Sequence, residues 1–266
     1  MKTYRFWHQE IVEIRIAGQQ AAITCYGRSN VSAEEARADA LARAPRVERK
    51  IAGEALAKED YAADIREEIV CEIDAHNVIT RNRYGALVLN TESLTILDID
   101  QHRKSFLEAL GFRERDNKAA ILEDLEKLAA RPEYASLGFR VYETLKGMRA
   151  IVTGAYFDPV SADGRALLER THSDPLFAKL CVKQKCYRAR LTPKPQRIKQ
   201  KAIRYRWPMD AETLASARQW VREYESRSQE FATCHYARTL GKQHAVTEII
   251  SIHDEETRAR SRLALA

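Results

Sequence analysis

Apolar and charged residues alternate from Ile11 to Ile16, Gly18-Gln19-Gln20 can turn, and Ala21 to Tyr26 resumes a short β run. This predicts an antiparallel hairpin within the first 27 residues. Ser32 followed by Glu35 fits a capping box and predicts a long helix to about Pro45 or beyond. Helical periodicity predicts further helices over Tyr61–Ile73, 102–111 and 117–130, the last ended by Pro132. Strand patterns cover Arg83–Asn90 and Leu94–Asp100, expected to pair around Thr91-Glu92-Ser93, and Leu137–Thr144 with Met148–Thr153 around Lys146-Gly147. A loop with Asp158-Pro159 leads to a helix over 162–170, and Cys186–Leu191 is strand-like. Met209–Leu240 reads as one long helix with Asp210 near its start, and Val246–Ile252 as a final strand with His253-Asp254 at its exit.

Helices and hairpins interleave without a regular βαβ alternation, so the expected class is α+β, with a mixed or antiparallel sheet flanked by helices. No fixed-period repeat or low-complexity tract occurs. Two regions are expected: residues 1–80, an N-terminal hairpin with helices, and residues 81–266, an α+β domain carrying the candidate chemistry. The longest apolar runs, such as Ala86–Leu89, fall far short of the roughly 20 residues of a membrane-spanning helix. The start, MKTYRFWHQE, has no apolar stretch or cleavage site of a secretory signal, so the expectation is a cytoplasmic protein with no membrane partner. Five scattered cysteines argue against a disulfide framework.

Charge changes this picture. The 266 residues carry 44 Lys and Arg against 38 Asp and Glu, a net +6. Eleven basic residues and no acidic one lie between Lys179 and Arg206. Subtracting that belt's +11 from the chain's +6 leaves the other 238 residues at −5. Like charges so concentrated favour a polyanionic partner, nucleic acid or nucleotide phosphate. Arg188 and Arg190 share a strand face, and with Lys194 and Arg197 they are the candidate nucleic-acid contacts. Tyr187, Tyr205 and Trp207 could stack on bases or anchor the belt to the core; for Trp207 the anchor is preferred.

Leu97-Asp98-Ile99-Asp100 is the sharpest local signal. Residues two apart on a strand project together, so Asp98 and Asp100 form an acid pair suited to Mg²⁺ or Mn²⁺. The plainer alternative is one exposed Asp and one helix cap. Thr144, Lys146 and Arg149 flank the Gly147 turn and are candidate phosphate ligands; the alternative is an ordinary hairpin with surface cations. Cys181, Cys186, Cys234 and His235 have the donor types for zinc without the usual Cys-x2-Cys spacing, so zinc is not expected. His253-Asp254 reads as a general-base His–Asp pair or a third metal ligand, with a helix or turn cap the preferred alternative. No phosphate-binding P-loop, dinucleotide fingerprint, Gly-x-Ser-x-Gly or His-Glu-x-x-His motif occurs.

Taken in order, the acid pair Asp98 and Asp100 on an apolar strand and then Thr144-Leu145-Lys146-Gly147-Met148-Arg149 entering a β run resemble the archaeo-eukaryotic primase superfamily, which includes primase–polymerases and the polymerase domains of bacterial end-joining ligases. The resemblance spans about residues 80–255 and implies a primase-polymerase-like (RRM-like) core. It implies Asp98 and Asp100 as catalytic metal ligands, with Asp254 as the candidate for the family's third acid. It also implies Thr144, Lys146 and Arg149 at the phosphates of an incoming nucleoside triphosphate. Arg149 stands where the family has His, an exchange that keeps a phosphate donor and removes a group titrating near neutrality. Three functions stay open: a metal-dependent primase or polymerase-like nucleotidyltransferase, a non-catalytic nucleic-acid-binding protein of a mobile element, and a two-metal nuclease.

Overall fold

The computed structural model describes residues 1–16, 19–54, 64–102 and 115–266. A short strand β1 (Lys2–Thr3) precedes an antiparallel hairpin of β2 (Phe6–Ile16) and β3 (Gln19–Ser29). The hairpin expected from the alternation is present and longer than the pattern suggested. Helix α1 (Ala33–Ile51) runs through Pro45 and lies on the hairpin through the buried Ala36, Ala40 and Ala44. A Cβ on Gly27 would fall 1.9 Å from the Ala36 carbonyl oxygen, so a glycine there lets helix and strand backbones touch. Ser32 caps α1 by accepting from the Glu35 N–H at 3.1 Å. The return half of the expected capping box is replaced: the Glu35 carboxylate accepts from the Ser29 hydroxyl at 2.7 Å, which stands closer because β3 ends over the helix start. Ile14, Ile23, Cys25 and Ala44 form a small core of their own.

The helix expected over 61–73 is not formed where it is described. Residues 61–63 lie outside the described residues, and the rest form β4 (Asp64–Ile65), parallel to β1, and β5 (Glu68–Asp74). Ile65, Ile69 and Ile73 recur every four residues, a spacing that puts side chains on one face of a helix and of a strand alike. The turn decides between them. Asp74 accepts from the His76 N–H at 2.7 Å and reverses the chain into β6 (Asn77–Arg81), which pairs with β5.

Strands β7 (Leu87–Thr91) and β8 (Thr95–Ile99) occupy the expected positions but do not pair with each other. The Thr91 hydroxyl accepts from the N–H groups of Ser93 and Leu94, both at 3.1 Å, and turns the chain out of one sheet into another. Helix α2 (Asn117–Ala129), strands β9 (Gly138–Thr144) and β10 (Met148–Thr153), and helix α3 (Ala162–Arg170) follow as expected. The helix expected over 102–111 falls almost wholly on 103–114, outside the described residues. Next come α4 (Pro175–Gln184), β11 (Tyr187–Arg190) and α5 (Ala211–Ser228), which Asp210 caps. The single helix expected to Leu240 ends at Ser228 and gives way to β12 (Phe231–Ala232) and β13 (Cys234–Gly241). The strand expected over 246–252 is instead α6 (Glu248–Glu256), started by Thr247, whose hydroxyl accepts from the Ile250 N–H at 3.4 Å. A short β14 (Ala264–Leu265) pairs in parallel with β12.

The chain is therefore α+β, with six α-helices and two four-stranded antiparallel sheets among the described residues. One sheet has the order β13-β9-β10-β8 and the other β11-β7-β6-β5, so strands upstream of residue 81 pair into the sheet of β7. Both sheets contribute to one core, with Leu89 and Tyr187 from the second joining Ile96, Leu97, Phe139, Val141 and Ile151 from the first. No helix among the described residues is long and apolar enough to cross a membrane.

Candidate functional site

Asp98 lies on β8 directly opposite Arg149 on β10, and Asp100 follows at the strand's end. Leu97 and Ile99 are buried while Asp98 and Asp100 are not, the alternation expected of a strand, and the two carboxylates lie within electrostatic reach of each other. The Arg149 Nε stands 3.5 Å from the Asp98 Oδ1. The β9–β10 turn closes on itself, with the Thr144 hydroxyl accepting from the Gly147 N–H at 3.1 Å. A Cβ on Gly147 would meet the Ile99 carbonyl oxygen at 2.0 Å, so this glycine brings the turn against the acid-bearing strand. Asn117, at the start of α2, clamps the two: its amide donates to the carbonyls of Asp100 at 2.9 Å and Lys146 at 3.1 Å.

Two elements complete the cluster. The Asp174 backbone N–H donates to the Asp98 carbonyl at 2.8 Å, which sets the start of α4 against β8. Asp174 caps that helix through the Phe177 N–H at 2.8 Å and lies within electrostatic reach of Asp100. The Asp100 carboxyl is pushed above the usual carboxylate range, first by burial and then by Asp98 and Asp174, with Lys146 and Arg197 opposing. From the basic belt, Arg190, Lys194 and Arg197 lie within electrostatic reach of this acidic group. Burial, reinforced by Arg197 and Arg149, pulls the Arg190 guanidinium down to about 10. Lys194 and Arg197 are likewise lowered, chiefly by burial.

Arg149 thus pairs with Asp98, and Lys146, Arg190, Lys194 and Arg197 lie within electrostatic reach of Asp98 or Asp100. The Nε–H groups of Arg149 and Arg190 are buried without a hydrogen-bond acceptor in the protein; Arg149 meets Asp98 as an ion pair only. A buried guanidinium donor left unpaired is costly, and an anionic oxygen satisfies it. No group of three or more His, Cys, Asp or Glu among the described residues is placed to hold a metal ion. Asp98 and Asp100 alone suit Mg²⁺ or Mn²⁺, since Mg²⁺ is usually held by one or two carboxylates together with water and substrate phosphates.

Other candidates stand elsewhere. Asp254 is on α6 rather than at a strand exit, and its carboxylate accepts from Arg140 Nη2 at 2.8 Å and lies 3.1 Å from His253 Nδ1. Burial alone would raise its carboxyl, but His253, Tyr142 and Arg140 outweigh burial and hold it below the usual range. It is joined to the acid pair only indirectly. His253 Nε2 is 3.2 Å from Arg149 Nη1, and Arg149 donates to the Arg190 carbonyl. His253 has no exposed surface and packs edge-on to Tyr142. Arg188 pairs with Glu67 at 2.5 Å and is mostly buried, with its Nε–H also lacking an acceptor. Thr144 serves the turn. Tyr187 and Tyr205 are buried and anchor the belt. Cys181 and Cys186 are buried thiols at and just after the end of α4, while Cys234 lies on β13, a strand rather than the expected helix.

Sequence reasoning missed Asp174 and Asn117. Asp174 had a readable signal as a helix cap before Pro175, but nothing local placed that helix beside Asp98. Fold and site together define an α+β protein with an acid pair embedded in cations. None of the family models, curated proteins or solved structures compared with the chain matches it.

Proposed function

We propose that this chain is a metal-dependent nucleotidyltransferase of the primase–polymerase type, with a primase-polymerase-like core, acting on nucleic acid and nucleoside triphosphates. The observation that carries the reading is the gathering of five cations around Asp98 and Asp100, with two buried guanidinium N–H groups lacking acceptors. A bound Mg²⁺ or Mn²⁺ would neutralise phosphate charge and favour attack at phosphorus. Asp98 and Asp100 would hold that ion. Lys146, exposed on the Gly147 turn within electrostatic reach of Asp100, and Arg149, locked by His253 and the Arg190 carbonyl, supply a point charge and a planar donor for phosphate oxygens. Lys194 and Arg197 extend the positive surface from this point along the belt.

The test is incorporation of labelled nucleotide on a primed or unprimed single-stranded template with Mn²⁺. The reading expects product from the natural chain and none from Asp98→Asn or Asp100→Asn. No extension or priming by the natural chain on DNA or RNA templates sinks it. A binding-only protein is the second reading, favoured by Arg149 standing in place of the family's His. It expects strongly salt-dependent nucleic-acid affinity that neither Asp substitution changes.

A further inference from the structure

We infer that the N-terminal hairpin forms the far end of a track for a single nucleic-acid strand, with a base stacked on Trp7; this rests on the reading above for the nature of the ligand. Lys199, Lys201, Arg204 and Arg206 are all exposed, and none makes an ion pair with a described residue. Their backbone, by contrast, is firmly held. The Lys199 carbonyl accepts from Arg227 Nη1 at 2.9 Å, the Lys201 carbonyl accepts from the Trp220 indole N–H at 2.8 Å, and the Tyr205 N–H donates to the Arg83 carbonyl at 2.9 Å. Buried Tyr205 adds a bond from its hydroxyl to Glu68 at 2.5 Å. With the backbone already fixed, only the cationic side chains have to be ordered when a polyanion binds.

The segment has a direction. Lys199 sits at Arg227, near the end of α5, Lys201 sits at Trp220, and Met209 lies by the helix start near Thr213. Arg227 follows Thr213 by fourteen residue steps of the helix, a length of about 21 Å. The free cations therefore lead from Arg197, beside the acid pair, along α5 to Arg206. There the belt meets the hairpin in a cleft of about 430 Å³ lined by Trp7, Gln9, Arg206, Pro208 and Met209, with the α5 cap Asp210 also on its lining. An aromatic ring, an apolar wall and a cation offer stacking for one base and a contact for its phosphate. A duplex keeps its bases stacked within itself, so the chemistry fits an unpaired strand.

Binding of fluorescein-labelled dT20 to the full chain, followed by anisotropy over a salt series, tests this. Trp7→Ala is expected to weaken binding on the order of tenfold, as for other base–aromatic stacks, and Trp7→Phe to restore most of it. Replacing Lys199, Lys201, Arg204 and Arg206 together with Gln is expected to flatten the salt slope by about 0.7 for each phosphate that is no longer neutralised. Wild-type affinity and slope in Trp7→Ala and in the fourfold variant overturn the track, as does equal binding of a 20-base-pair duplex or equal competition by poly-glutamate. Nucleotide incorporation is read separately. Trp7-dependent dT20 binding without incorporation keeps the track and removes the proposed activity; incorporation with Trp7-independent binding does the reverse.

Discussion

Replacing His253 with Gln removes an imidazole that the fold holds neutral, and the consequence is a change in how stability depends on pH. Arg149 can only donate, so His253 Nε2 must accept from it, and the ring proton sits on Nδ1 facing Asp254. A second proton would point at the Arg149 guanidinium inside a site with no exposed surface. Burial first, with Arg149 adding to it and Asp254 opposing, lowers the imidazole to about 4. In the unfolded chain it titrates near 6.5. Above that pH neither state binds the proton and the group contributes nothing to pH dependence. As pH falls from 6.5 towards 4 the unfolded state alone is protonated, so stability is lost. The loss reaches roughly 3 kcal/mol below pH 4 and about 2 kcal/mol at pH 5. Urea unfolding followed by tryptophan fluorescence, for the natural chain and His253→Gln at pH 5.0 to 7.5, isolates this group. Gln can still accept from Arg149, and the stability gap between the two proteins is expected to shrink by about 2 kcal/mol on going to pH 5. Curves that stay parallel over that range would refute the buried neutral imidazole.

The Arg140–Asp254 pair is buried on both sides, so Arg140→Met strands a carboxylate and is expected to cost about 3–5 kcal/mol, read as a lower urea midpoint. Gly147→Ala drives a methyl into the Ile99 carbonyl and is expected to cost about 1–3 kcal/mol and to weaken Mn²⁺ binding, because the turn and the acid strand must part; thermal unfolding and Mn²⁺ electron paramagnetic resonance report the two effects. Asp98→Asn and Asp100→Asn are each expected to lower Mn²⁺ affinity at least tenfold while leaving circular dichroism unchanged. Since the Asp100 carboxyl is raised, Mn²⁺ affinity of the natural chain is expected to fall as pH drops towards the upper carboxylate range, before an ordinary aspartate would titrate.

Much of the local structure was legible along the chain. The β2–β3 alternation, the Ser32 and Asp210 caps, the β9–β10 turn at Lys146-Gly147, and the alternation of buried Leu97 and Ile99 with Asp98 and Asp100 all follow from periods and hydrogen bonds that span a few residues. The errors arose where one local pattern serves two structures. Isoleucines four apart at 65, 69 and 73 satisfy a helix and a strand equally, and the apolar run at 246–252 reads as a strand until Thr247 is seen capping a helix. Residues 229–241 leave the helix because β9 offers an open edge, which no local pattern encodes.

The sequence by itself determined the segregated charge, the acid pair and the class of the fold, because composition and short-range periodicity suffice for those. Only the tertiary structure decided which charges meet. Arg188 and Arg190 share a strand face, yet Arg188 ends on Glu67, 121 residues away, while Arg190 is buried within electrostatic reach of Asp98 and Arg149. Asp254, a candidate metal ligand in sequence, is claimed by Arg140, 114 residues away, and Asp174 takes a place beside Asp100 that no spacing foretold. Charges act over distance in space, so the fold can pair groups that lie more than a hundred residues apart along the chain.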